Sequence, residues 1–104
     1  MTATLDARPE DVAILRAALH THLPTTVQVL AFGSRVTGRA KPWSDLDLCL
    51  RGPMDRAALS ALRETLVESD LPWRVDLVFW DDLDEGFRQI VARNGVVLTG
   101  TEDA

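Results

Sequence analysis

Apolar residues recur along this chain at two spacings, and the spacing changes at each cluster of Gly and Pro. Val12, Leu15, Leu19 and Leu23 stand three and four apart, which sets them on one side of a helix. Pro9 suits the first turn of that helix, Glu10 and Asp11 complement its positive end, and Pro24 stops it. Residues 26 to 32 (TVQVLAF) form a β-rich run that ends at Gly33-Ser34, a pair that lets a backbone turn sharply. Residues 34 to 44 mix a glycine, a proline and basic side chains without period, which predicts a turn of helix followed by a loop. Leu46, Leu48 and Leu50 then alternate with Asp45, Asp47 and Cys49, the period of two of a strand.

After Gly52-Pro53, Asp55 is placed to cap a helix whose stripe is Ala58, Leu59, Leu62, Leu66 and Val67, ending near Asp70. Residues 73 to 80 alternate again, with Val75, Leu77 and Phe79 opposed to Arg74, Asp76, Val78 and Trp80, so Asp76 projects from a third strand. Asp81 and Asp82 are expected to cap a last helix containing Phe87, Ile90 and Val91, with Asn94-Gly95 as its stop. Residues 96 to 98 suit a short edge strand, and 99 to 104 a frayed tail. Strands and helices therefore alternate, which predicts an α/β fold with helices packed on a sheet of three or more strands.

The 104 residues, 46% hydrophobic and 26% charged, suit one domain, 1–104, with a core of about 9–98. Eleven Lys and Arg face sixteen Asp and Glu, a net charge of −5, so the chain lacks the basic footprint of a protein that coats nucleic acid. Cys49 is the one cysteine and cannot form an intramolecular disulfide. No apolar run approaches the ~18 residues of a membrane span, and residues 1–8 lack the basic and apolar regions of a signal peptide. A cytoplasmic protein is the expectation.

Chemistry concentrates in Gly33-Ser34, ten residues, then Asp45-Leu46-Asp47. Carboxylates one residue apart on a strand share a face, which suits joint ligation of a hard cation such as Mg²⁺. Asp76 on another strand adds a third carboxylate, and three converging negative charges repel one another unless a cation joins them. Gly33 lets a phosphate approach the backbone, Ser34 offers a hydroxyl donor, and Arg35, Arg39 and Lys41 supply cationic contacts. Two ions roughly 3.5 to 4 Å apart would stabilise attacking and leaving oxygens in displacement at phosphorus. The spaced four-residue motif arises by chance in roughly one chain per thousand of this length, although Gly33-Ser34 alone is most simply a turn.

Gly33-Ser34-Arg35-Val36-Thr37-Gly38, Ser44-Asp45-Leu46-Asp47-Leu48 and Val75-Asp76-Leu77-Val78 together resemble the minimal nucleotidyltransferases of the DNA polymerase β superfamily, over about residues 5 to 98. The resemblance implies a small mixed sheet flanked by helices, the polymerase-β-type nucleotidyltransferase fold. It implies Asp45, Asp47 and Asp76 as catalytic and metal-ligating residues, and Gly33, Ser34, Arg35, Arg39 and Ser44 as the nucleotide-binding set. It further implies two Mg²⁺ ions, ATP as substrate, and AMP transfer to a hydroxyl, most simply a tyrosine of a HEPN-type ribonuclease toxin for which the chain is the antitoxin. Many members carry an additional Arg where this chain has Thr37, which removes one basic contact and no metal ligand. A non-catalytic antitoxin that acts by binding, or an enzyme that modifies a small hydroxylated molecule such as an aminoglycoside, are the alternatives. Homo- or hetero-oligomers suit any of these readings.

The remaining candidates are weaker. His20 and His22 point to different sides of a helix and do not share a metal. Cys49 is most simply a small buried side chain, and Asp81, Asp82, Asp84 and Glu85 a helix N-terminus. Trp43, beside the motif, is a candidate to stack on a base.

Overall fold

Helix α1 (Pro9–His22) begins at Pro9 as its sequence requires, and its first turn holds an ion pair that the periodicity does not announce. Asp11 is only 2% exposed, and the Arg8 guanidinium donates to both its oxygens at 3.0 Å, so the buried carboxylate is paired twice. The computed structural model describes residues 5–99. It continues through β1 (Gln28–Phe32), the single turn α2 (Ser34–Thr37), β2 (Leu46–Arg51), α3 (Arg56–Glu68), β3 (Val75–Phe79), a 3-10 turn (Trp80–Asp82), α4 (Glu85–Asn94) and β4 (Val96–Thr99). The tail expected at 99 to 104 lies outside the described residues apart from Thr99, which closes β4.

The four strands form one mixed sheet in the order β3-β2-β1-β4. β1 runs antiparallel to both β2 and β4, whereas β2 and β3 are parallel and joined by α3 as the crossover. Pairing sets Phe32, Asp47 and Asp76 in one row across β1, β2 and β3. Leu30, Cys49 and Val78 make the next row on the same face, and Gln28, Arg51 and the residue after β3, Trp80, continue it.

The opposite face is the main core. Ala31, Leu48 and Leu77 lie there with Val29, Leu50 and Phe79, and α1 and α3 cover them through Leu15, Leu19, Leu62 and Leu66. Among the described residues, α4 is the one helix above the face carrying the aspartates, and its Val91 packs on Leu30, Phe32 and Cys49. Cys49 is therefore buried by a helix, although its strand parity groups it with the aspartates. One short helix cannot roof the whole face, and the Asp47–Asp76 end stays open.

Two local expectations change, and a third holds with its own geometry. The last helix is capped by Asp84, whose Oδ1 accepts from the Phe87 N–H at 2.8 Å, while Asp81 and Asp82 lie in the 3-10 turn before it. A cap needs an extended backbone just ahead of the first helical residue, and Asp84 has it, with φ −74° and ψ 169°. Gly95 does stop the helix, but with extended backbone; a Cβ there would stand 2.5 Å from the Val91 carbonyl, so glycine is needed for room. Val67, placed with the α3 stripe by its spacing, is 82% exposed, because the stripe centres on Leu62 and Leu66.

Candidate active site

Strand β1 delivers the chain to Gly33, whose φ of +85° and ψ of −155° belong to a region that side-chain-bearing residues avoid. A Cβ built at Gly33 would lie 2.5 Å from Asp47 Oδ2. Glycine thus satisfies two demands together: the turn into α2 and the close approach of that turn to the Asp47 carboxylate. Ser34 opens α2, and its carbonyl accepts from the Arg39 N–H at 3.1 Å as the helix closes at Gly38.

The loop from Gly38 to Asp45 is held from inside. Arg35 is 5% exposed; its Nε donates to the Ser44 carbonyl at 3.0 Å, one terminal nitrogen to the Asp6 carbonyl at 2.9 Å, and the other to the Lys41 and Pro42 carbonyls at 3.2 Å. The guanidinium also lies over the Trp73 ring, 4.7 Å from its centroid. Four of its five N–H donors thus meet backbone carbonyls, so Arg35 holds the loop together from inside. Ser44 likewise closes the loop, its Oγ accepting from the Lys41 N–H at 2.8 Å. Arg39 and Lys41 are exposed on this loop, and so is Trp43 beside them.

The loop ends by delivering Asp45 to the start of β2, where the Leu46 N–H donates to the Arg74 carbonyl at 2.8 Å and pins β2 to β3. Asp45 lies 4.0 Å from Arg74 Nε, a contact between two solvent-facing groups. Asp47 and Asp76 are register partners on adjacent strands. Burial raises the Asp47 carboxyl above its usual range, and the negative charges of Asp76 and Asp45 raise it further. The Asp47 carboxylate thus feels the charge of both Asp76 and Asp45. Among the described residues, no three acidic, His or Cys side chains are gathered tightly enough to enclose an ion as they stand. Hard carboxylates beside a glycine turn that touches one of them are nevertheless a donor set whose chemistry fits a divalent cation.

A cavity of about 910 Å³ opens here, and Asp47, Asp76, Phe32 and Phe87 line one end of it. Phe87 of α4 meets Phe32 edge-on, with centroids 5.6 Å apart, and stays 39% exposed. Sequence reasoning passed over Phe32, Phe87 and Arg74. The signal for Phe32 was its place directly before Gly33, whereas Phe87 and Arg74 come to the site only through α4 packing and the β2–β3 register.

Residues 12–98 match the model of the nucleotidyltransferase domain family. The chain belongs to that family. It is 45% identical over 102 residues to the probable protein adenylyltransferase MntA of Haemophilus influenzae, across 96% of this chain and 89% of that one. A solved toxin–antitoxin structure with AMP-PNP superimposes with a TM-score of 0.69 at 26% identity, covering 88% of this nucleotidyltransferase and 74% of that chain. The fold is shared as well with a structure of a tri-AMPylated Shewanella oneidensis HEPN toxin in complex with MNT antitoxin, at a TM-score of 0.63 and 24% identity over 89% and 72% of the two chains. No described helix is long and apolar enough to cross a membrane.

Proposed function

We propose that this nucleotidyltransferase moves AMP from ATP to a tyrosine hydroxyl of a HEPN-type toxin and so acts as a cytoplasmic antitoxin. One observation carries the reading: the Gly33 turn lies against Asp47, whose register partner is Asp76, so phosphates at the turn meet carboxylates. Such a junction is favourable when a cation stands between the two anions. Asp45, Asp47 and Asp76 would hold Mg²⁺, two ions in the full site. When bound, the metal neutralises triphosphate charge and polarises the phosphorus under attack.

Gly33 admits the phosphates and the Ser34 hydroxyl donates to them, while Arg39, exposed on the following loop, offsets charge on the departing pyrophosphate. Asp76 faces solvent on the outermost strand, where an acceptor can reach it. It orients the acceptor hydroxyl and takes its proton as the oxygen bonds to the α-phosphorus; the bond from that phosphorus to the bridging oxygen breaks, and pyrophosphate leaves. This chain has no tyrosine, so a tyrosyl-AMP product lies on another protein. The 45% identical relative described as a probable protein adenylyltransferase, and the toxin–antitoxin structure with AMP-PNP, support both the nucleotide and the protein acceptor. An acidic chain also suits a partner that binds RNA.

Position-labelled ATP tests the reaction. Label at the α-phosphate should pass to the toxin and label at the γ-phosphate should appear in pyrophosphate. Retention of γ-label on the protein would make the chain a kinase instead.

A further inference from the structure

Strand β3 is the edge of the sheet, and its free side forms the middle of the 910 Å³ cavity. The lining comes from both faces of the strand. Val75 and Leu77 point with Leu66, Val67 and Leu71 toward the α3 side, while Asp76 and Val78 point with Phe32, Asp47 and Phe87 toward the α4 side. The Arg74 carbonyl is bonded to β2, so by strand alternation Val75, Leu77 and Phe79 direct their N–H and C=O groups to the open edge. Among the described residues no strand pairs with this side, and an edge with free backbone groups and side-chain space on both faces is built to receive another strand.

We propose that an extended segment of the acceptor polypeptide adds to β3 as a fifth strand and so presents its hydroxyl to Asp76. This inference rests on the acceptor being a protein, as proposed above. Side chains of an added strand alternate between the two faces. The reacting tyrosine points to the α4 side, between Asp76 and the exposed edge of Phe87, and its sequence neighbours fall on Leu66, Val67 and Leu71. Arg63 and Arg74 flank the groove, with Arg74 mostly in solvent, so the segment is apolar next to its tyrosine and acidic further out. A second copy of this chain suits the groove poorly. It has no tyrosine and so no phenol to offer.

Hydrogen exchange on the wild-type protein, free and bound to the toxin, reads this directly. Binding should slow exchange of the Val75, Leu77 and Phe79 amides at least tenfold, and leave the amides of β4, on the far edge, unchanged. In parallel, Val67→Glu places a charge on an exposed groove position outside the catalytic set, and should raise KM for the toxin at least tenfold at unchanged kcat and unchanged ATP affinity. If the toxin is labelled with AMP but the β3 amides exchange as in the free protein, or Val67→Glu behaves as wild type, edge docking is wrong and AMP transfer stands. If the wild type labels no toxin, the functional reading falls and this inference with it.

Discussion

Asp47 and Arg35 are both charged residues held where charge is costly, and the fold treats them in opposite ways. Asp47 gains negative neighbours: burial, then Asp76, then Asp45 push its carboxyl up. A carboxyl raised in the folded state binds more protons there than in the unfolded chain, so stability falls as pH rises above the ordinary value of 3.8. Asp47→Asn should remove that fall while abolishing transfer, giving a Tm at neutral pH equal to or above wild type. Melting curves from pH 3.5 to 7 check the sign, and an unfolded variant would make Asp47 a structural residue. Arg35 instead meets four carbonyl oxygens and a tryptophan ring. Arg35→Ala leaves those acceptors unsatisfied and should cost about 2 to 4 kcal/mol in urea denaturation, with Arg35→Lys in between. A phosphate-binding arginine would show the reverse, lost ATP affinity at unchanged stability. The motif's carboxylates were readable because a strand's period of two aligns them. The fate of Arg35 was not, because its partners are backbone carbonyls at Asp6, Lys41, Pro42 and Ser44 that only the folded loop collects.

The strands were legible where apolar and polar residues alternate, as in Leu46, Leu48 and Leu50, all buried on the core face. Alternation says less about the other face: Cys49 is covered by α4 and Asp47 only partly, and no local signal separates the two. Helix α4 shows the same limit at its start, since Asp81, Asp82 and Asp84 are equivalent candidates until Leu83 donates its N–H to the Trp80 carbonyl and completes the 3-10 turn. Only then does Asp84 occupy the extended position. Asp84→Ala should therefore destabilise the protein by about 1 kcal/mol, and Asp81→Ala and Asp82→Ala by no more than about 0.5 kcal/mol, in chemical denaturation. Equal effects at the three positions would contradict the cap assignment. For α3, a hydrophobic spacing rule admitted Val67, but the helix meets α1 and the sheet along Leu62 and Leu66, which turns Val67 to solvent.

For the whole molecule, function depends on an arrangement that no segment contains. The parallel pairing of β2 and β3 makes register partners of Asp47 and Asp76, which are far apart in sequence, and the antiparallel pairing of β1 brings Phe32 and the Gly33 turn beside them. The order of elements was readable, whereas this strand order β3-β2-β1-β4 was not, because adjacency in a sheet is set by crossover packing. The result is a charge cluster open to solvent at one end of an acidic protein, and Mg²⁺ should raise the Tm, with ATP raising it further only when Mg²⁺ is present. Calorimetry that found ATP bound equally well in a chelator would contradict the metal assignment.

The most direct test of the account is the intact mass of the toxin after incubation with this protein, ATP and Mg²⁺, read beside its ribonuclease activity. The toxin should become heavier by one or more AMP units on a tyrosine, lose activity in proportion to that modification, and stay unmodified when Asp47→Asn or Asp76→Asn replaces the wild type. A toxin silenced at unchanged mass would contradict it and make the chain an antitoxin by contact alone.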